Sequence, residues 1–252
     1  MLVRTWNLFH GNTVPPQREA FLDEMIRLAT ADDPDVLCVQ EVPGWALSRF
    51  TVGDMASRPP LGVAAGRAIT SLNHGIIRSA VSGQGNAIRV LPSLRVVDHH
   101  VLVLNPARFR AQLGVDARVQ LRWAKERRIV QALRLARGTR TFVVANTHCT
   151  GTWPYVAQAE LMRAAWFADS IARPDEPLIL AGDFNLHPDT DALASLTGPE
   201  WGFSAAGPGI DHILVRGAEV SEPRVWPADR RRRADGTLLS DHAPVEVEIE
   251  FV

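Results

Sequence analysis

Long apolar runs are missing from this chain. No stretch approaches the ~20 residues that a membrane-spanning helix needs. The first residues, MLVRTWNLFH, lack an apolar segment followed by a small-residue cleavage site, so no secretory leader is expected. Cysteine is scarce. Cys38 and Cys149 are the only two in 252 residues, and they form neither a zinc spacing nor a disulfide framework. Cys38 lies in the apolar run VLCVQ and reads as core. A reducing, cytoplasmic setting is therefore expected. Excess charge is also absent. The formal net charge is −1, whereas a protein that coats nucleic acid is usually basic; a local basic groove stays open. Lysine is nearly absent: Lys125 is the only one, and the rest of the 27 Lys+Arg are arginine. With abundant alanine, that bias points to a G+C-rich coding sequence, so single arginines carry little weight.

What remains is ordinary globular material, 46% apolar and 22% charged. A chain of this length can bury an ample core. No repeat, low-complexity tract or long linker interrupts it, so one domain over residues 1–252 is expected. Short apolar runs alternate with turn signals throughout. Strands are expected at 2–9, 35–41, 62–69, 75–81, 86–91, 95–104, 128–136, 140–147, 177–182, 212–216, 219–226 and 243–251. Helices are expected at 17–31, 153–172 and 189–196, with a short one at 45–55. The helix at 17–31 carries an apolar stripe of Phe21, Leu22, Met25, Ile26 and Leu28. Strand-rich halves with a few helices between them fit two packed sheets with helices outside.

Polar residues collect where the apolar strands end: Asn7, Glu41, Asn146 with His148, Asp183 with Asn185, Asp211 with His212, and Ser240-Asp241-His242. Each alone reads as a turn, cap or edge residue. Their recurrence at strand end after strand end does not. Carboxylate and carboxamide oxygens without thiolates point to a hard cation, Mg²⁺ or Mn²⁺. Glu41 with Asn7 and Asp241 can supply such a site and leave positions for water and a phosphate. Zinc fits less well, since neither an HExxH helix nor a cysteine cluster is present. The imidazoles of His148 and His242 can donate to an anion. Together these groups suit phosphoester hydrolysis, which needs an in-line water and stabilised charge on the phosphoryl oxygens.

At this point a family resemblance emerges. WNLFH with Asn7, VQE with Glu41, NTH with His148, GDFN with Asp183 and Asn185, IDH with Asp211, and SDH with Asp241 and His242 stand in this order. The ordered set resembles the endonuclease/exonuclease/phosphatase superfamily. That group includes pancreatic-type deoxyribonucleases, exonuclease III-like repair enzymes, neutral sphingomyelinases and inositol polyphosphate phosphatases. A weaker match is Gly85-Asn86-Ala87-Ile88, and it implies Asn86 as a substrate-binding residue. The resemblance implies an α/β (α+β) four-layer sandwich: two packed, mainly antiparallel sheets flanked by helices, with the site at one end. It implies Glu41 as principal metal ligand, with Asn7 and Asp241 near the metal. Asp183 would orient or deprotonate the water, with Asn185 supporting the phosphate. His242 would contact the scissile phosphate, its other nitrogen held by Asp211, and His148 would donate to a phosphate oxygen. Three departures stand out. Cys149 replaces the usual Leu after NTH. Some nucleases pair the His148 equivalent with an upstream Glu, yet residues 56–85 contain no acidic residue. His212, often Tyr in the family, reads as structural.

The resemblance does not fix the substrate, which is expected to be an anionic phosphoester, with nucleic acid among the candidates. Arg230, Arg231, Arg232 and Arg233 precede Ser240-Asp241-His242, so they are expected to overhang the site and suit a polyanion. A solvated loop neutralised by Asp229 and Asp235 is the alternative. Trp153 and Tyr155, after His148, can stack a base, touch a lipid interface or pack on the following helix. The leading reading is a divalent-metal-dependent phosphoesterase cleaving phosphodiesters in the manner of a nuclease. The alternatives are a phospholipid or small-molecule phosphodiesterase or phosphatase, and a non-catalytic binding module. The sequence implies no protein partner.

Overall fold

The computed structural model describes residues 1–251 apart from Arg18, residues 58–81, Glu126 and Ala205. The expected strands at 62–69 and 75–81 lie outside the described residues. Fourteen strands are described: β1 Leu2–Asn7, β2 Thr13–Val14, β3 Val36–Pro43, β4 Val52–Met55, β5 Gln84–Val90, β6 Arg95–Val103, β7 Ile129–Arg137, β8 Arg140–His148, β9 Leu178–Asp183, β10 Asp211–Arg216, β11 Glu219–Val220, β12 Arg224–Val225, β13 Leu238–Leu239 and β14 Val245–Glu250. The α-helices are α1 Leu22–Ala29, α2 Ala107–Gln112, α3 Ala117–Lys125, α4 Pro154–Ile171 and α5 Asp191–Thr197.

The strands build two main sheets. One runs β11-β14-β1-β3-β5-β4, with β12 also on β14; the other runs β10-β9-β8-β7-β6. Among the described strands, only β1–β3 and β8–β9 pair in parallel, across α1 and α4 respectively; the other described pairs are antiparallel. Parallel neighbours need such crossovers, and hairpins serve the rest.

The period-two rule explains the layers. In β3, Val36 and Cys38 face the other sheet, while Leu37 and Val39 face outward beneath α1 with Leu22 and Met25. In β8, Phe142 and Val144 point inward, and Val143 and Ala145 pack outward under α4 with Leu161, Ala164 and Ala168. The result is helix, sheet, sheet, helix, as expected. A buried crossbar ties the sheets together: Gln40 Nε2 donates to Asn146 Oδ1 at 2.8 Å, and Asn146 Nδ2 donates to the Val39 and Ala87 carbonyls at 3.0 Å.

Several elements differ from expectation. Residues 45–55 are a 3-10 turn, Gly44–Arg49, followed by β4 rather than one helix. The segment 219–226 splits into β11 and β12 because Pro223 between them cannot donate to a ladder. The helices α2 and α3 were not expected. Pro106, which looks like a strand break, is also the N-cap of α2. Among the described residues, no helix is long and apolar enough to cross a membrane.

Candidate active site

The same alternation that builds the core delivers the site. Val3 of β1 faces the inter-sheet core, so Asn7 at the end of β1 shares that face. Ile88 and Val90 place Asn86 likewise. On the other sheet, Val144 sets the face of His148, Ala181 that of Asp183, and Ile213 that of Asp211. Register aligns them: His148 pairs with Asp183 across β8–β9, and Asp183 with Asp211 across β9–β10. Three polar groups therefore stand in a row across three adjacent strand ends. Gly182 is required in this row. Its φ is +142°, and a Cβ there would meet the Thr147 carbonyl oxygen at 1.9 Å.

Glu41 is out of phase with Val36, Cys38 and Gln40. A bulge between Val39 and Val42 shifts the register, and Glu41 itself takes a left-handed φ of +52°. That strain swings its carboxylate into the cleft. Other left-handed residues surround the site: His10, Asn185 and Ser240, at φ +55°, +53° and +61°.

Glu41 Oε2 lies 3.0 Å from His10 Nε2, and Oε1 lies 3.9 Å from His148 Nε2. Burial alone would raise the Glu41 carboxyl. The hydrogen bonds from His10 and Asn7, with the His10 charge, outweigh it and hold the group well below the usual carboxylate range. Asn7 links the two acidic halves. It hydrogen-bonds Glu41, and its Nδ2 donates to Asp183 Oδ2 at 2.9 Å, while its Oδ1 accepts the Phe9 N–H at 3.0 Å.

Asp183 is buried. Its Oδ1 accepts the Asn185 N–H at 3.0 Å, and its Oδ2 lies 3.4 Å from His148 Nε2 and 3.7 Å from His242 Nε2. Burial and the Asp211 charge push its carboxyl up. Asp211 Oδ2 holds His242 Nδ1 at 2.7 Å. Burial opposes charge on His242, yet the Asp211 hydrogen bond and the charges of Asp211, Asp183 and Asp241 push the imidazole up to about 9. His148 behaves oppositely: burial first, then the Arg128 charge, drive it well below the usual histidine range. One ring is thus an imidazolium and the other neutral at neutral pH.

The turn carrying His242 is docked on β1. Ser240 Oγ donates to the Asn7 carbonyl at 2.7 Å and accepts the His242 N–H at 3.1 Å, and Trp6 Nε1 donates to the His242 carbonyl at 2.9 Å. Asp241 is more exposed and lies 4.0 Å from His242 Nε2. Asn185 Nδ2 donates to the Cys149 carbonyl at 2.9 Å. Asn86 lines a cleft with Glu41, Arg128 and His148. His212 is buried, bonded to the Leu186 carbonyl and stacked on Phe184, a structural role.

The residues present fit a hard divalent cation. Asp183, Asp211 and His242 offer ligand atoms all within 4.8 Å of one another. Glu41 faces them as a carboxylate kept ionised. Both cysteines are buried with their thiols pushed up, so the donors are oxygen and imidazole. The metal set expected from sequence was Asn7, Glu41 and Asp241. A further group, Asp183, Asp211 and His242, lies beside it across the cleft.

The arginine run sits differently from the expected open cationic rim, because each guanidinium has a protein partner. Arg230 stacks 3.5 Å over the Trp226 ring and pairs with Asp32. Arg231 is buried, its Nη1 donating to the Leu239 and Ser240 carbonyls at 2.9 and 2.8 Å. Arg232 bonds the Gly236 carbonyl at 2.9 Å. Arg233 bonds Glu24 at 2.9 Å and stacks on Phe21. The run therefore clamps the loop onto α1 and onto the turn before His242. Trp153 packs with Val119, Trp123 and Val156, whereas Tyr155 is exposed. Arg231→Ala should lower unfolding free energy by about 1–3 kcal/mol through two orphaned buried carbonyls. Arg232→Ser should stay within ~0.5 kcal/mol. Urea unfolding of both variants checks this, and equal losses would contradict the clamp.

Sequence reasoning passed over His10, Arg128 and Glu160. His10 had a signal, a histidine three residues past Asn7. Arg128 was hidden by the general arginine bias. Glu160, fully buried in α4, accepts Trp123 Nε1 at 2.6 Å and the Thr150 N–H at 2.7 Å, which holds the loop after His148.

Comparison with known proteins agrees with this architecture. The chain is similar to a conserved protein of unknown function from Enterococcus faecalis, at 19% identity and TM-score 0.68 over 100% of both chains. It is similar to a mannosyl-6-phosphatase from Bacteroides thetaiotaomicron, at 17% identity and TM-score 0.66, again over 100% of both. It also resembles the human Nocturnin catalytic domain with bound sulfate, at 16% identity and TM-score 0.63 over 99% of this chain and 93% of that one. No curated protein matches the sequence. The sequence pattern of the Endonuclease/Exonuclease/phosphatase family matches residues 5–242, and the chain belongs to that family.

Proposed function

We propose that this protein is a divalent-metal-dependent phosphoesterase that hydrolyses phosphodiester bonds by in-line attack of an activated water. One observation carries the reading. A buried carboxylate, Asp183, faces an imidazolium, His242, that Asp211 holds from behind, and Glu41 lies across the cleft as a permanent anion. Enzymes of this family hydrolyse phosphoesters and are typically metal-dependent, and structurally similar proteins include a phosphatase.

Glu41 and Asn7 would hold the cation, with Asp241 near it. When bound, it supplies positive charge to the phosphoryl oxygens and lowers the pKa of bound water. The protein's own groups do the rest. Asp183, its carboxyl raised toward neutrality, takes the proton from the attacking water. His242, charged and oriented by Asp211, donates Nε2–H to a phosphoryl oxygen as negative charge grows there. His148 donates from the opposite side. Asn185, braced by the Cys149 carbonyl, lines the phosphate.

A second reading concerns the size of the substrate. The arginine loop favours a small soluble phosphodiester over a nucleic-acid strand, because its guanidiniums are already engaged. The groove beside His242 is walled by Pro208, Ile210, Val225 and Ala243, with no arginine or lysine among its described lining residues. Turnover of DNA, RNA, sphingomyelin, a phosphoinositide and bis-p-nitrophenyl phosphate with Mg²⁺ or Mn²⁺ tests both readings. Replacing Arg230 and Arg232 by Ser should leave bis-p-nitrophenyl phosphate turnover unchanged. If a strand crosses the loop, the same change flattens the log K–log[salt] slope by roughly 0.7–0.9 per lost phosphate contact; an unchanged slope supports the small substrate. Hydrolysis of none of the five would favour a binding module.

A further inference from the structure

Behind His148 stands a cation. A catalytic or ligating imidazole ordinarily has an acceptor there, a carboxylate or carbonyl. Arg128 immediately precedes β7, and its start is pinned. Its N–H donates to Asn105 Oδ1 at 2.9 Å, its carbonyl accepts the Leu104 N–H at 2.8 Å, and Asn105 Nδ2 donates to the Trp123 carbonyl at 3.0 Å. The side chain is largely buried and reaches the cleft that also presents Glu41, Asn86 and His148. Its Nη1 lies 3.1 Å from His148 Nδ1.

A guanidinium carries five donors, no acceptor, and a proton it does not release. The ring nitrogen facing it must therefore offer a lone pair. The single proton of a neutral imidazole then sits on Nε2, which points at Asp183 Oδ2 (3.4 Å) and Glu41 Oε1 (3.9 Å). Burial pushes the Glu160 carboxyl up, and the charge of Arg128 opposes that shift.

We propose that Arg128 is a positioning residue: its Nη1–H bond to Nδ1 fixes His148 as the Nε2–H tautomer, a neutral donor aimed at the phosphate site. A carboxylate in the same place would demand a proton on Nδ1 and leave Nε2 bare unless the ring were charged. Arg128 thus secures a donor at Nε2 without a second imidazolium beside His242. The kinetic consequences rest on the phosphoesterase reading; the tautomer does not.

The test has two independent arms, both on the full chain with Mg²⁺ present. Two-bond ¹H–¹⁵N spectra should show His148 protonated on Nε2 and bare at Nδ1. A proton on Nδ1, or on both nitrogens, overturns the proposal. In the second arm, Arg128→Met should lower kcat about 10–100-fold with KM little changed, and Arg128→Lys, which keeps a donor, should recover much of the loss. In a His148→Ala background, Arg128→Met should cost nothing further. Losses that multiply would mean that Arg128 touches substrate itself, and they overturn the positioning role. Should Arg128→Met fail to fold, the lysine variant and the wild-type spectrum decide. A wild-type chain inactive on every phosphoester would count against the hydrolytic reading, and the spectrum alone would then judge the tautomer.

Discussion

Replacing His242 by alanine should lower kcat about 10²–10⁴-fold, whereas Asp211→Asn should cost about 10–100-fold. The difference follows from what each residue touches. His242 Nε2 faces the phosphate site beside Asp183, while Asp211 acts only through Nδ1, at 2.7 Å. An asparagine still reaches Nδ1 but cannot stabilise the imidazolium or fix which nitrogen keeps its proton. The double variant should be no slower than His242→Ala alone. There is a further reason for that. Without His242, Asp211 becomes an uncompensated anion against Asp183, whose carboxyl its charge already pushes up. Removing that charge relieves the crowding. Steady-state rates of the three variants on bis-p-nitrophenyl phosphate decide it. Losses that simply multiply would show that the two side chains do not act as a unit.

Glu41→Gln should abolish hydrolysis and weaken Mn²⁺ binding in calorimetry while leaving the circular dichroism spectrum unchanged. The substitution keeps shape and removes charge. In the folded chain His10 and Asn7 hold this carboxyl ionised. Its folded pKa lies below the ordinary value of 4.5, so its contribution to stability is complete above that pH and fades as pH falls. Glu41→Gln should therefore flatten the acid limb of the stability curve. Wild-type Mn²⁺ affinity in the variant would remove Glu41 from the cation site.

Much of this was legible because strands alternate. Asn7, Asn86, His148, Asp183 and Asp211 each continue the inward face of an apolar strand, so reading the core also read the site. Glu41 breaks that rhythm and was found by motif alone; the bulge and its left-handed backbone are invisible to periodicity. Arg128 could not be singled out among so many arginines, since its placement depends on Asn105, just past β6, and on Trp123 of α3. The partners of the arginine run, Asp32, Glu24, Phe21 and Trp226, are distant in sequence, so periodicity and neighbouring residues do not show them. Helix α3 escaped notice because only Val119 and Trp123 are buried on an otherwise polar segment.

The central claim is hydrolysis that needs a divalent cation and the carboxylate of Asp183. The most direct measurement is the rate of bis-p-nitrophenyl phosphate hydrolysis by chelator-treated protein before and after Mg²⁺ or Mn²⁺ is added, with Asp183→Asn in parallel. The account predicts no turnover in chelator, recovery on adding the cation, and none at any cation concentration for Asp183→Asn. Undiminished turnover in chelator, or full activity in Asp183→Asn, would contradict it.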